Sequence, residues 1–96
     1  MYLKIHEDGR IVAACDKELV GRVLEDEERY LDLDRYKGFY MGEVTGEEKV
    51  RDALKGFESA NLVGSRCVGI ALDMGLADKE DVMYIKETPY IQIYRI

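Results

Sequence analysis

The dipeptide Asp8-Gly9 lies between two runs rich in β-forming residues, Tyr2–Glu7 and Arg10–Cys15. A two-residue Asp-Gly loop in that setting specifies a hairpin, because a type I′ turn needs φ > 0 at both central positions. The register follows: Glu7 faces Arg10, Ile5 faces Val12 and Leu3 faces Ala14. Leu3, Ile5, Val12 and Ala14 then share one face, and Tyr2, Lys4, His6, Ile11, Ala13 and Cys15 share the other. His6 on such a face reads as a packing or surface residue.

The next segment is mixed. Leu19, Val20, Val23 and Leu24 fit a short helical turn capped by Asp16, with Gly21 interrupting it. Tyr30 to Asp34 alternates like a strand, so two short strands are expected around the acidic turn Glu25–Glu28. Thr45-Gly46-Glu47-Glu48 has capping-box spacing, and Val50, Ala53, Leu54 and Phe57 form one helical stripe. This predicts a first helix running to about Ser59 and broken by Asn61-Leu62-Val63-Gly64. A second helix carries Cys67, Ile70, Ala71 and Met74 on one face and stops at Gly75. Asp78–Asp81 reads as a turn. Val82–Glu87 and Tyr90–Ile96 read as strands separated by Thr88-Pro89. The expected fold is α+β: a small single domain spanning residues 1–96, with an N-terminal β-hairpin and a mixed or antiparallel sheet packed by two central helices.

Composition narrows the function classes. An apolar share of 47% suits a folded globule despite 35% charged residues. No apolar run approaches the roughly 20 residues that span a bilayer, so no membrane partner is expected. Met1 to His6 alternates like a strand and has no signal-peptide core, which points to the cytoplasm. Cys15 and Cys67 stand apart on apolar faces and read as buried thiols. With His6 the sole histidine, no metal and no cofactor are expected. The net charge of −6 argues against a general nucleic-acid binder. Its distribution is uneven: Asp16 to Asp34 holds eight acids against three bases, whereas Arg35 to Arg66 holds six bases against five acids. A local basic patch in the second half remains compatible with that balance.

Nucleotide-binding loops, nucleophile elbows and zinc-protease motifs are absent from the sequence. Three segments offer candidate binding residues. Tyr40, Gly42 and Glu43 follow Tyr36 and Lys37, and aromatics interleaved with cations can stack bases and touch phosphates; alternatively Phe39 and Met41 fill the core and Tyr40 covers its rim. Asn61, Gly64, Ser65 and Arg66 could form an anion site at a helix start, from free amides, a hydroxyl and a forked cation. The plainer reading has Asn61 capping the first helix and Gly64 turning the chain. Pro89, Tyr90 and Gln92 complete the set, and the three stretches are expected to meet in space.

These same stretches carry a resemblance. Val12-Ala13-Ala14-Cys15-Asp16, Phe39-Tyr40-Met41-Gly42-Glu43, Asn61 to Val68, Gly75-Leu76 and Thr88-Pro89-Tyr90-Ile91-Gln92 resemble an archaeal family, domain-of-unknown-function family 424, over nearly the whole length. The resemblance implies an archaeal cytoplasmic protein with a housekeeping role and a link to RNA or a translation-related complex. It supplies no catalytic residue. The family tail commonly reads Val-Pro-His-Ala-Gln, and this chain has a tyrosine in the histidine position. A tyrosine holds its proton to about pH 10 in water, which weakens an enzymatic reading. Two functions therefore lead: a non-enzymatic binding module, with RNA or a translation-related complex as partner, and a small metabolite-binding protein or enzyme with an anion pocket at a helix N-terminus. A third is a protein-interaction subunit that uses an exposed sheet edge.

Overall fold

A computed structural model describes residues 1–95. The N-terminal hairpin forms as expected from β1 (Tyr2–His6) and β2 (Ile11–Cys15), with Leu3 opposite Ala14 and Ile5 opposite Val12. Asp8 and Gly9 have φ of 58° and 93°, and the Arg10 amide closes the turn on the Glu7 carbonyl. A short 3-10 turn, Lys17–Leu19, leads into β3 (Val23–Glu25) and β4 (Tyr30–Asp32). These two strands make a separate small sheet around the acidic turn, where the Asp26 carboxylate accepts from the amides of Glu28 and Arg29 at 2.8 Å each.

The middle of the chain departs from expectation. Lys37–Tyr40 is a one-turn helix, α1, and Glu43–Val44 forms β5 against β1. The helix of the Val50 stripe, α2, covers Glu47–Ala53 and stops well before Ser59. Its N-cap is Gly46 and has no side-chain cap, because the Thr45 amide bonds the Met1 carbonyl and draws Thr45 into the β5 edge. Ser59–Val63 is a strand, β6, parallel to β2. Asn61 therefore lies inside a sheet and caps no helix. The local spacing supports this, since Ala60 and Leu62 are buried on one side while Ser59 and Asn61 point to the other.

The second helix, α3 (Ser65–Asp73), ends as the sequence predicts. Gly75 adopts φ 71°, the Leu76 amide reaches the Ala71 carbonyl, and the Gly75 amide reaches that of Leu72. These bonds make a Schellman motif. Asp78 caps the 3-10 turn Lys79–Asp81. The C-terminal hairpin is β7 (Met83–Ile85) and β8 (Thr88–Tyr94), joined by Lys86-Glu87. Thr88 and Pro89 thus lie within β8 instead of separating two strands. Pro89 is tolerated because it stands at the end of the β6–β8 ladder, where the Gly64 amide still donates to its carbonyl at 2.8 Å. The end expected at Ile96 lies outside the described residues.

The large sheet is mixed, with strand order β5-β1-β2-β6-β8-β7. Both of its faces are covered. On one, α2 and α3 pack Val50, Leu54, Phe57, Cys67, Ile70 and Ala71 over Leu3, Val12, Ala14, Leu62 and Ile91. On the other, Leu19, Leu24, Leu33 and Tyr40 pack over Ala13, Cys15, Val63 and Ile85. The second cover is shorter than the sheet beneath it, and that mismatch positions the site. Among the described residues no helix is long and apolar enough to cross a membrane.

Candidate functional site

Strand registers lay out the half-covered face in rows. The first runs Tyr2, Cys15, Val63, Tyr90, Met83, and its centre is buried. The second runs Lys4, Ala13, Asn61, Gln92. The third runs His6, Ile11, Ser59, Tyr94, and its Tyr94 is 68% exposed. Leu31 of the small sheet and Tyr40 of α1 reach the second row, and at β1 α1 extends to the third, where Phe39 stacks on His6. Leu31, Tyr40, Asn61, Val63, Tyr90 and Gln92 line a pocket of about 140 Å³.

The polar part of the pocket is an amide pair. Gln92 Nε2 donates to Asn61 Oδ1 at 2.8 Å. This leaves Gln92 Oε1 as an acceptor and Asn61 Nδ2 as a double donor. The apolar part comes from Leu31, Val63 and the Tyr40 ring. Burial pushes the Tyr40 phenol up to about 12, with Cys15 adding to the shift, so Tyr40 is a neutral wall and no base at neutral pH. Alongside, His6 stacks on Phe39 with centroids 4.7 Å apart, and its Nε2 lies 3.0 Å from the Phe39 carbonyl oxygen. Lys4 Nζ donates to the Gly38 carbonyl at 2.7 Å and pins the same segment to β1.

The three stretches meet in part. Tyr40, Asn61, Tyr90 and Gln92 come together, and Pro89 supports them through its bond to Gly64. Gly42 and Glu43 do not join. They lie by β5, at the sheet edge opposite β7, where a side chain on Gly42 would strike the Leu3 carbonyl and come within 2.9 Å of the Lys4 Cβ. Glu43 pairs with Lys49. The alternative core reading of this segment reverses two roles: Tyr40 is buried and Met41 is 48% exposed. Tyr36 and Lys37 are exposed on α1.

The helix start at Gly64 is already filled by the chain itself. Asp16, 1% exposed, places its carboxylate on α3: the Arg66 amide donates to Oδ2 and the Cys67 amide to Oδ1, each at 3.0 Å. The Gly64 amide is held by Pro89 and the Val68 amide by the Gly64 carbonyl. An anion pocket there is overturned by this geometry, because the donors that would hold a phosphate already hold a carboxylate. Ser65 and Arg66 are exposed beside it and do not line the pocket. Gly64 has φ 103°, and a Cβ on it would lie 2.5 Å from Asp16 Oδ2. The glycine thus serves Asp16 and no external ligand. Burial, with the Asp16 charge second, pushes the Cys15 thiol up to about 12 and raises that of Cys67 as well, so both thiols keep their protons at neutral pH.

Sequence reasoning missed the contribution of Ser59 and Tyr94 to the open rows. The alternation Gln92-Ile93-Tyr94 held the signal, since it places Tyr94 on the face of Gln92.

The model of the family described as "protein of unknown function (DUF424)" matches residues 3–96. The chain belongs to that family. No curated protein matches it. Among solved structures, a crystal structure of an uncharacterized conserved protein from Methanopyrus kandleri is similar. The two share 27% identity at a TM-score of 0.73, covering 97% of this chain and 89% of that one. The likeness agrees with the α+β architecture of this DUF424 member.

Proposed function

We infer that this DUF424 protein is a non-enzymatic binding module for single-stranded RNA, read one base at a time on the open rows of its sheet. The observation that carries the reading is the Asn61–Gln92 amide pair on the exposed wall of a ring-sized pocket. A cavity of about 150 Å³ takes a benzene ring, and this one measures about 140 Å³. The free donor and acceptor of the pair match the adjacent donor and acceptor on a base edge. Tyr94 and the His6–Phe39 stack supply aromatic surface for neighbouring bases. The face presents few cations, Lys4 among them, in a chain of net charge −6, so affinity would come from stacking and base contacts more than from phosphates. The proposal has the protein act in the reducing cytoplasm, where the free thiols Cys15 and Cys67 stay reduced.

Fluorescence anisotropy with labelled hexanucleotides of uridine, adenosine and cytidine tests it. One of these should bind wild-type protein, and Gln92→Ala and Asn61→Ala should each weaken that binding by about tenfold or more. Tyr94→Ala should cost about 1–3 kcal/mol of binding. Competition by free nucleosides tests the metabolite alternative at the same pocket. Unchanged affinity in folded Gln92→Ala, or no binding by wild type, would refute the reading.

A further inference from the structure

A second, larger cleft of about 660 Å³ opens between β3 and the β7–β8 turn, away from the amide pocket. Its walls are Arg22 to Glu25 on one side and Ile85 to Thr88 on the other. Ladder parity fixes what β3 shows it. The Asp26 amide bonds the Arg29 carbonyl and the Leu33 amide bonds the Arg22 carbonyl, so Asp26–Arg29 and Arg22–Leu33 are hydrogen-bonded pairs. Antiparallel pairs alternate. Val23, opposite Asp32, and Glu25, opposite Tyr30, therefore turn their amide and carbonyl groups away from β4. The cleft is lined by β3 and not by β4, which puts those groups on its wall.

The opposite wall is different. The Tyr84 carbonyl on the outer edge of β7 is taken by Arg29 Nη1 at 2.9 Å, an arginine at the tip of the small hairpin. The β7 edge is thus blunted by the tip of the small hairpin, while the β3 edge is left with main-chain groups two residues apart. Buried Leu24 and Ile85 lie beneath. At the rim Arg22 and Lys86 balance Glu25 and Glu87, and a wall of zero net charge favours a neutral polyamide over a polyanion.

We propose that this cleft binds an extended peptide segment, which adds as a third strand to the free edge of β3. Strand geometry allots roughly 160 Å³ to each residue, so the cleft holds about four. Recognition runs through the peptide main chain at Val23 and Glu25, and an apolar side chain over Leu24 and Ile85 sets the register. This site is independent of the amide pocket and stands or falls separately from it.

The test is amide-resolved NMR on the wild-type chain with capped pentapeptide pools that alternate valine with a randomised residue. At least one pool should shift the Val23 and Glu25 amides and slow their hydrogen exchange by about tenfold or more. The same peptide, N-methylated at the residue opposite Val23, should lose that effect. The proposal is overturned if no pool at millimolar concentration moves these two amides, or if the N-methylated peptide binds as well as its parent. Protection of both amides in the free protein by a persistent dimer would overturn it too, by assigning the edge to a second copy.

Discussion

Replacing Asp16 with alanine tests the central tie of the fold. In the wild type its buried carboxylate accepts from the amides of Arg66 and Cys67, both at 3.0 Å, across 50 residues of chain. Each hydrogen bond to a charged acceptor contributes about 1.5–3 kcal/mol, and a buried amide left without a partner costs about 1–3 kcal/mol. The two sets overlap, since losing the bond is what orphans the amide. Removal of the negative charge from the start of α3 adds about 0.3–1 kcal/mol. Asp16→Ala should therefore destabilise by roughly 3–5 kcal/mol, a large part of the 5–15 kcal/mol typical of a whole domain. Asp16→Asn keeps the size and one acceptor oxygen, and should cost roughly half as much. Urea unfolding followed by circular dichroism gives both values, and hydrogen exchange at Arg66 and Cys67 localises the effect. A loss under about 1 kcal/mol for Asp16→Ala would show that water replaces the carboxylate at no cost, and the assignment of Asp16 as the anion on α3 would be wrong.

Gly64→Ala should be at least as damaging as Asp16→Ala, because the new Cβ would lie 2.5 Å from Asp16 Oδ2 at a backbone φ of 103°; poor expression or loss of the cooperative urea transition is the expected readout. Stability should fall as pH rises past about 9. The thiols of Cys15 and Cys67 and the Tyr40 phenol keep their protons to higher pH folded than unfolded, so unfolding releases protons in that range; folded Cys15→Ala should show a shallower decline from pH 9 to 11 in a denaturant series. Iodoacetamide at pH 8 should label both cysteines at one slow rate set by unfolding, and rapid labelling of native protein would contradict their burial. If RNA binds the open rows through two phosphates, the log–log salt slope should be about −1.4, and Arg66→Ala should leave affinity unchanged.

Local chemistry was readable where the chain decides its own conformation. Asp8-Gly9 forced the hairpin and its register, and Gly75 ended α3, because each depends on neighbouring residues. The Asn61–Gly64 segment was misread because glycine and asparagine also mark helix breaks. Its strand conformation is set by β2 and β8, neither adjacent in sequence. The α3 start shows the same limit. Free amides were expected, and the residue that fills them was visible as a candidate cap, but for its own short turn. Nothing near Asp16 announces a partner 50 residues away. The three stretches were expected to meet whole, but only Tyr40, Asn61, Tyr90 and Gln92 line one pocket and Arg66 stays outside it, since the pocket depends on where the small sheet stops.

The strand order also divides the molecule along its middle. Strands β1, β2 and β5 come from residues before 45, and β6, β7 and β8 from residues after 58. Each trio is built from neighbouring pairs, and the parallel β2–β6 contact sews the trios together. The large sheet thus has one seam, bridged at its end by Asp16 and α3, while α2 on α3 and Arg29 on Tyr84 join the same two halves outside it. A chain cut in the Lys55-Gly56 loop would present two fragments with matching seam edges, which makes this protein a natural scaffold for split-protein reconstitution.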